Sequence, residues 1–289
     1  MATSVLFDAP GPRTQARHRL YTVISALVLA LIAAFIIWRF WVEGQLTQDM
    51  WEPFVTPNIV IFLLEGLMWT LLMAVVAVAG AVIIGAILGI AKLSQHALIR
   101  WPAWIVVEFW RAVPLLMTII AIWFATGAQL GWPAYWAVVI GLWLYNGSVI
   151  AEIVRAGINA LPSGQAEAAY ALGMRKTQAM SLILLPQAVK IMLPAIISQS
   201  IVALKDTSLG YAVLAYGLTT NGKEVFRTFD NIVPTALVLA AIYIICNLGL
   251  TWLATWAQKR YAGERKVDVT VVAAGLSGAA AGPSTTEAP

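Results

Sequence analysis

From Ala112 to Ala151 the chain runs for 40 residues without a charged residue or a histidine. A single helix of that length would be about 60 Å long, twice the roughly 30 Å of hydrocarbon in a bilayer. The run is too long for one membrane crossing and right for two. The turn between the two is predicted at Gly127–Pro133 (GAQLGWP), where glycine and proline break a helix. Trp132, Tyr135 and Trp136 beside it fit an interfacial aromatic belt.

The rest of the chain agrees with a membrane solvent. Hydrophobic residues make up 61% and charged residues 11% of the 289 positions, and the mean hydropathy is +0.82. Ordinary globular chains carry about 45–50% and about 25%. So much apolar surface must face lipid, which excludes a secreted enzyme, a nucleic-acid module and a disordered scaffold. Further apolar runs at Leu20–Trp38, Ile59–Ala91, Gln178–Leu204 and Asn231–Gln258 bring the predicted spans to six. The first is longer than the roughly 7–15-residue apolar core of a signal peptide and is followed by Arg39, Phe40 and Trp41, so it reads as a retained helix. The fold class expected is therefore all-α, a polytopic protein of the cell membrane. The lone Cys246 excludes an intrachain disulfide and a cysteine-based metal cluster.

Six spans place both termini on one side. Of the 18 Lys and Arg residues, 14 fall on that side, among them Arg13, Arg17, Arg19, Lys92, Arg100, Arg111, Arg155, Arg175 and Lys176. The other side receives Arg39, Lys205, Lys223 and Arg227. The basic side is expected to be cytoplasmic. The net charge of +4 and the pI near 9.3 answer to this topology and do not call for a nucleic-acid partner.

The longest internal cytoplasmic segment is expected at 152–181. Pro162, Ser163 and Gly164 predict a turn, the Ala-rich stretch Gln165–Leu172 a short helix, and Gly173 a left-handed helix end. Small residues at Ala166, Ala168 and Ala169 would admit another protein's backbone, and Glu167 offers a charge to a partner. Composition alone favours the plainer reading, a hairpin that only connects two spans.

The order Glu167-Ala168-Ala169, three residues, Gly173, nine residues, Ile183-Leu184-Leu185-Pro186 resembles the EAA motif of ABC importer permeases at every fixed position. Glu108-Phe109-Trp110-Arg111-Ala112-Val113-Pro114-Leu115-Leu116 is similar to a further segment of the polar amino acid uptake subfamily, departing at Ala112-Val113, where Gly-Thr is usual. The segments 151–158 (AEIVRAGI) and 204–209 (LKDTSL) resemble two more of its signatures. The resemblance covers residues 59–258 and is greatest to actinobacterial glutamate importer permeases. It implies a cytoplasmic tail at 1–19, an extra transmembrane helix at 20–42, a type I permease domain at 53–258 and a largely disordered cytoplasmic tail at 259–289. It also implies a coupling helix whose Glu167, Ala168, Ala169 and Gly173 dock a pair of ATP-binding subunits. The other implied partners are a second, homologous permease subunit and an extracytoplasmic amino acid-binding protein, with membrane lipid around them. The function implied is ATP-driven import of a polar amino acid, glutamate foremost, by alternating access. ATP hydrolysis would lie on the separate subunit, and no cofactor or metal is implied.

Polar groups within or beside spans are functional candidates. Asn146, Glu152, Gln199, Asp206, Thr207 and Ser208 are candidates for the substrate pathway. Each has a plainer reading. Glu152 and Arg155 sit three apart, the spacing of an ion pair at a helix end. Asn146 and Gln199 could line a wet pore or bond to a neighbouring helix. Gly217–Glu224 (GLTTNGKE) nearly matches a phosphate-binding loop, but Glu224 replaces the metal-binding hydroxyl and no strand precedes it. A stand-alone secondary carrier or channel is the alternative function. It would call for midplane charges or repeated halves, which the uncharged run does not supply. A membrane enzyme would need a catalytic cluster, which the sequence does not show.

Overall fold

The computed structural model describes residues 11–127 and 131–261, and every regular element among them is helical. The main helices are α1 (Pro12–Val42), α2 (Pro57–Lys92), α3 (Ala97–Ala112), α4 (Leu115–Ile122), α5 (Ala134–Asn159), α6 (Ser163–Ala171), α7 (Leu185–Asp206), α8 (Leu218–Phe229) and α9 (Ile232–Tyr261). Proline sets where many of them begin. Pro12 and Pro57 occupy the first turns of α1 and α2, and Pro114, Pro133 and Pro162 immediately precede α4, α5 and α6. Its fixed φ suits a helix start, and its missing N–H costs nothing there.

Five helices are long and apolar enough to cross a membrane, and the bent pair α3–α4 makes a sixth if counted as one span. The pair corrects the expected third crossing. Before the uncharged run, residues Ala97–Ala112 form a helix that meets the segment Leu115–Gly127 at 101°. The corner is Val113, extended at ψ 130°, because the ring of Pro114 excludes helical geometry from the residue before it. The 13 residues after the corner reach only about 20 Å, less than the roughly 30 Å bilayer core, so α4 alone does not span. A π turn at Trp123–Gly127 ends this arm, and α5 begins at Ala134, so the break does fall between Gly127 and Pro133.

The bundle is organised around α5, the most buried of the spans. It packs along α2, where Ala77, Ala81, Gly85 and Gly89 recur every fourth residue and are all buried. Such a stripe lets two backbones approach closely, the main source of helix packing in lipid. Met73, Ile119, Val138 and Leu142 fill one end of this core, and Ile150, Val154, Ala188 and Met192 the other. The Trp143 indole N–H donates to the Val76 carbonyl at 2.9 Å, its ring over Gly80.

The helix α1 stands apart, exposed to its surroundings over nearly its whole length. It starts at Pro12, so residues 12–19, expected as tail, are helical. Its far end is tied to the body near Asn231: Gln45 bonds to Asp230 O and Val233 N, and Asn231 Nδ2 donates to Met50 O at 3.0 Å. Residues 1–10 and 262–289, most of the two expected tails, lie outside the described residues.

Candidate coupling segment and polar pathway

Helix α5 runs on to Asn159, so Glu152 belongs to it and not to a loop. The turn is Ala160–Pro162, with Pro162 in extended conformation at ψ 132°; Ser163 and Gly164, expected within a turn, are the first residues of α6. The helix then ends as predicted. Gly173 has φ +76°, its N–H bonds to Tyr170 O at 2.9 Å, and Met174 N–H reaches back to Ala169 O at 3.1 Å. These two bonds define a Schellman cap, which requires a left-handed residue at this position. A Cβ on Gly173 would meet nothing within 4 Å, so the backbone angle, not space, calls for glycine.

The four coupling candidates divide by exposure. Glu167 and Ala168 face outward. Ala169 does not: it is 4% exposed and turned into the chain's own core. Its small size suits close packing of α6 against the rest of the chain. Tyr170 and Leu172 are exposed instead, Leu172 by 83%, as the apolar tip of the segment. Hydropathy could not flag Leu172, because one leucine in an Ala-rich helix reads as core.

The pathway candidates do not all converge. Asn146 and Gln199 meet across α5 and α7, the Gln199 amide N–H donating to Asn146 Oδ1 at 2.6 Å. Asn146 is 1% exposed, its Nδ2 has no hydrogen-bond partner, and Asp206 interacts with the same side chain. Two candidates, Gln199 and Asp206, thus meet a third, the buried amide of Asn146, which has a donor to spare. Thr207 is buried and satisfied locally by Leu204 O at 2.6 Å. Ser208 turns away, lining a cavity with Tyr243, Asn247 and Thr251 of α9. Glu152 lies about two helical turns from Asn146 towards α6, in a separate cluster. There it accepts from Arg155 Nε at 2.6 Å and from Lys92 Nζ at 2.7 Å. Lys92 also donates to Glu108 at 3.2 Å, and Glu108 pairs with Arg111.

The ion pair expected of Glu152 and Arg155 is therefore present, and Lys92 is the member the sequence did not reveal. It closes an apolar helix and reads as a topological charge, yet its side chain is only 3% exposed. Gly217–Glu224 forms no phosphate cradle: Gly217 precedes α8, Asn221 Nδ2 donates to Phe62 O at 2.7 Å, and a Cβ on Gly222 would strike Leu239.

The comparisons with known proteins agree on one family. Residues 81–263 match the description "Binding-protein-dependent transport system inner membrane component". The glutamate transport system permease protein GluD of Corynebacterium glutamicum is 40% identical over 231 residues, covering 77% of this chain and 84% of that protein. The glutamate/aspartate import permease protein GltK of Escherichia coli is 31% identical over 216 residues, 70% of this chain and 94% of its own length. A crystal structure of an amino acid ABC transporter with histidines shares 31% identity at a TM-score of 0.65, covering 70% of this chain and 95% of that one. With the matched segment taking in the buried amide, α6 and the lysine cluster, the chain belongs to the family of inner-membrane components of binding-protein-dependent transport systems.

Proposed function

We propose that this chain is the permease subunit of an ATP-driven importer that moves a polar amino acid, glutamate foremost, into the cell by alternating access, with α6 as its coupling helix. Family membership places it as a multi-pass protein of the cell membrane, a transport subunit and not an enzyme. It implies an ATPase, a substrate-binding protein and a second permease as partners. The finer reading adds a homologous second permease and a pair of ATP-binding subunits seated under α6. The end of the bundle that carries α6 is cytoplasmic, as are both termini, in line with the distribution of Lys and Arg. Residues 53–258 act as the permease domain, and α1 is an addition to it.

One observation carries the docking reading: α6 presents Glu167 and the 83% exposed Leu172 beyond the apolar core, on a helix fixed at both ends. An isolated apolar tip beside a charge is suited to a protein partner's pocket and a basic side chain at its rim. For the substrate, the spare N–H of Asn146 can donate to a carboxylate, and Asp206 can accept from an ammonium, the two groups every amino acid brings. Glutamate is supported by the two relatives above, both of which carry glutamate in their names.

The test is association and uptake in one preparation. Glu167→Arg and Leu172→Asp are expected to insert normally yet fail to retain the ATP-binding subunits on affinity purification. Vesicles holding the whole transporter are expected to accumulate labelled glutamate only with ATP, and unlabelled glutamate to compete better than arginine or histidine. Accumulation without the ATPase would establish the stand-alone carrier instead.

A further inference from the structure

The C-terminal end of α2 holds both roots of α6. On the side before α6, Lys92 Nζ donates to Glu152 Oε2 of α5 at 2.7 Å. On the side after it, Lys176 Nζ donates to the carbonyl of Leu93, the residue next to Lys92, at 3.3 Å. Lys92 also reaches Glu108 of α3 at 3.2 Å, so the bent helix pair joins the same point. The two flanks of α6 are tied to consecutive residues of one helix end, although Lys176 and Leu93 are 83 positions apart.

The chemistry makes the first tie stiff. The Lys92 side chain is 3% exposed, and an ammonium so placed is tolerated only while its carboxylates stay in contact. Separating Lys92 from Glu152 would leave the buried ammonium with Glu108 as its one remaining carboxylate. Glu152 is also held by Arg155, so its carboxylate cannot swing freely. Just before Lys92, Gly85 and Gly89 bring the α2 backbone against Gly147 O and Ala151 O of α5, leaving no slack between the helices. A push on α6 that reaches α5 therefore reaches α2 and α3 with it.

We propose that Lys92 is a positioning residue for energy coupling: with the Leu93 carbonyl it clamps both roots of α6, so that motion of α6 displaces α2, α3 and α5 together. The inference rests on α6 being the coupling helix, and it gives Lys92 a role that acts through the helices it joins. A cluster that only stabilised the fold would change the amount of transporter and leave the uptake per ATP unchanged. A clamp sets that ratio.

The experiment uses the complete transporter in proteoliposomes, with ATP-binding subunits, partner permease and binding protein, and measures glutamate uptake and ATP hydrolysis on the same sample. Lys92→Met is expected to assemble and hydrolyse ATP while uptake per ATP falls roughly tenfold, an effect in the usual range of coupling between sites. Lys92→Arg keeps a cation in reach of Glu108 and Glu152 and is expected to recover most of that loss. Lys176→Ala releases only the partly exposed second tie and is expected to lower the ratio by about threefold. An unchanged ratio in Lys92→Met overturns the proposal; if that variant does not insert, an unchanged ratio in Lys176→Ala overturns it. Glu167→Arg separates the two levels. If it keeps its ATPase, the coupling-helix reading fails; if it loses the ATPase while Lys92→Met still couples, only the clamp fails.

Discussion

Gly89 offers the sharpest test of the packing on which this mechanism stands. It lies one helical turn before Lys92 on the small-residue stripe of α2. A Cβ there would sit 2.6 Å from the carbonyl oxygen of Ala151 and 2.7 Å from Cβ of Val154. Ordinary contact between such atoms is about 3.5–4.0 Å, so α2 and α5 would have to part locally by roughly 1 Å. No rotamer change relieves this, because Ala151 contributes backbone and Val154 its branch point. Overpacking of this kind costs about 1–3 kcal/mol. Alanine recovers up to about 1 kcal/mol through its better helix propensity, which would blur a single measurement. Gly164→Ala supplies the control: the same change within a helix, with nothing inside 4 Å of the new Cβ. The difference between the two variants isolates the clash. At about 2–4 °C per kcal/mol, Gly89→Ala is expected to melt roughly 2–12 °C below Gly164→Ala in detergent, read as loss of the monodisperse peak on heating. If Gly89→Ala melts at or above Gly164→Ala, the close approach of α2 and α5 is wrong, and the stiff path from Lys92 to α5 is wrong with it.

Other expectations follow from single sites. Gly173→Ala forces a Cβ into the left-handed region at φ +76° and is expected to lose about 1–2 kcal/mol, with Gly173→Asn retaining more of the wild-type melting temperature. Gly80→Ala places a Cβ 2.1 Å from the Trp143 indole nitrogen and is expected to cost about 1–3 kcal/mol, much of it relieved in a Trp143→Ala background; strictly additive losses would refute the contact. Asn146→Leu removes the unpaired amide donor and the acceptor of Gln199, and is expected to cut uptake about tenfold while lowering stability by about 1–3 kcal/mol; a stability loss without an uptake defect would make the amide structural.

The outline of this fold was written in hydropathy and proline. Long uncharged runs must lie in lipid, and Pro133 and Pro162 stop one helix and start the next wherever the rest of the chain goes. Gly173 was equally legible, since a glycine after an Ala-rich stretch signals a left-handed cap and the EAA spacing fixes which glycine. The bend at Val113 was harder to see. Its proline was in view, but the apolar residues of α3 blur into the following run, and hydropathy carries no direction. The surroundings of Ala169 and Lys92 were hidden for a related reason. Small size is needed both to pack inward and to receive a partner, and a lysine at a helix end is demanded by topology whether or not it finds carboxylates. Only the fold tells that Ala169 faces inward and that Glu108 and Glu152 converge on Lys92 from two other helices.

That convergence explains why so much chemistry sits on α5. One continuous helix carries Asn146 beside Gln199 and Asp206, then Glu152 and Arg155 two turns later, and leads through Pro162 into α6. A polar group in the pathway and the lever that would move it are therefore parts of one rod with no flexible joint before Ala160. Burial makes the rod stiff, since α5 is surrounded by α2, α3, α4 and α7 and cannot bend without opening cavities in both core clusters. The exposed helices answer to lipid, and their sequence is constrained mainly in being apolar. α5 answers to four neighbours at once. The polar residues that interrupt its apolar surface are held in place by that packing, which is the condition for a small shift at one end to be felt at the other.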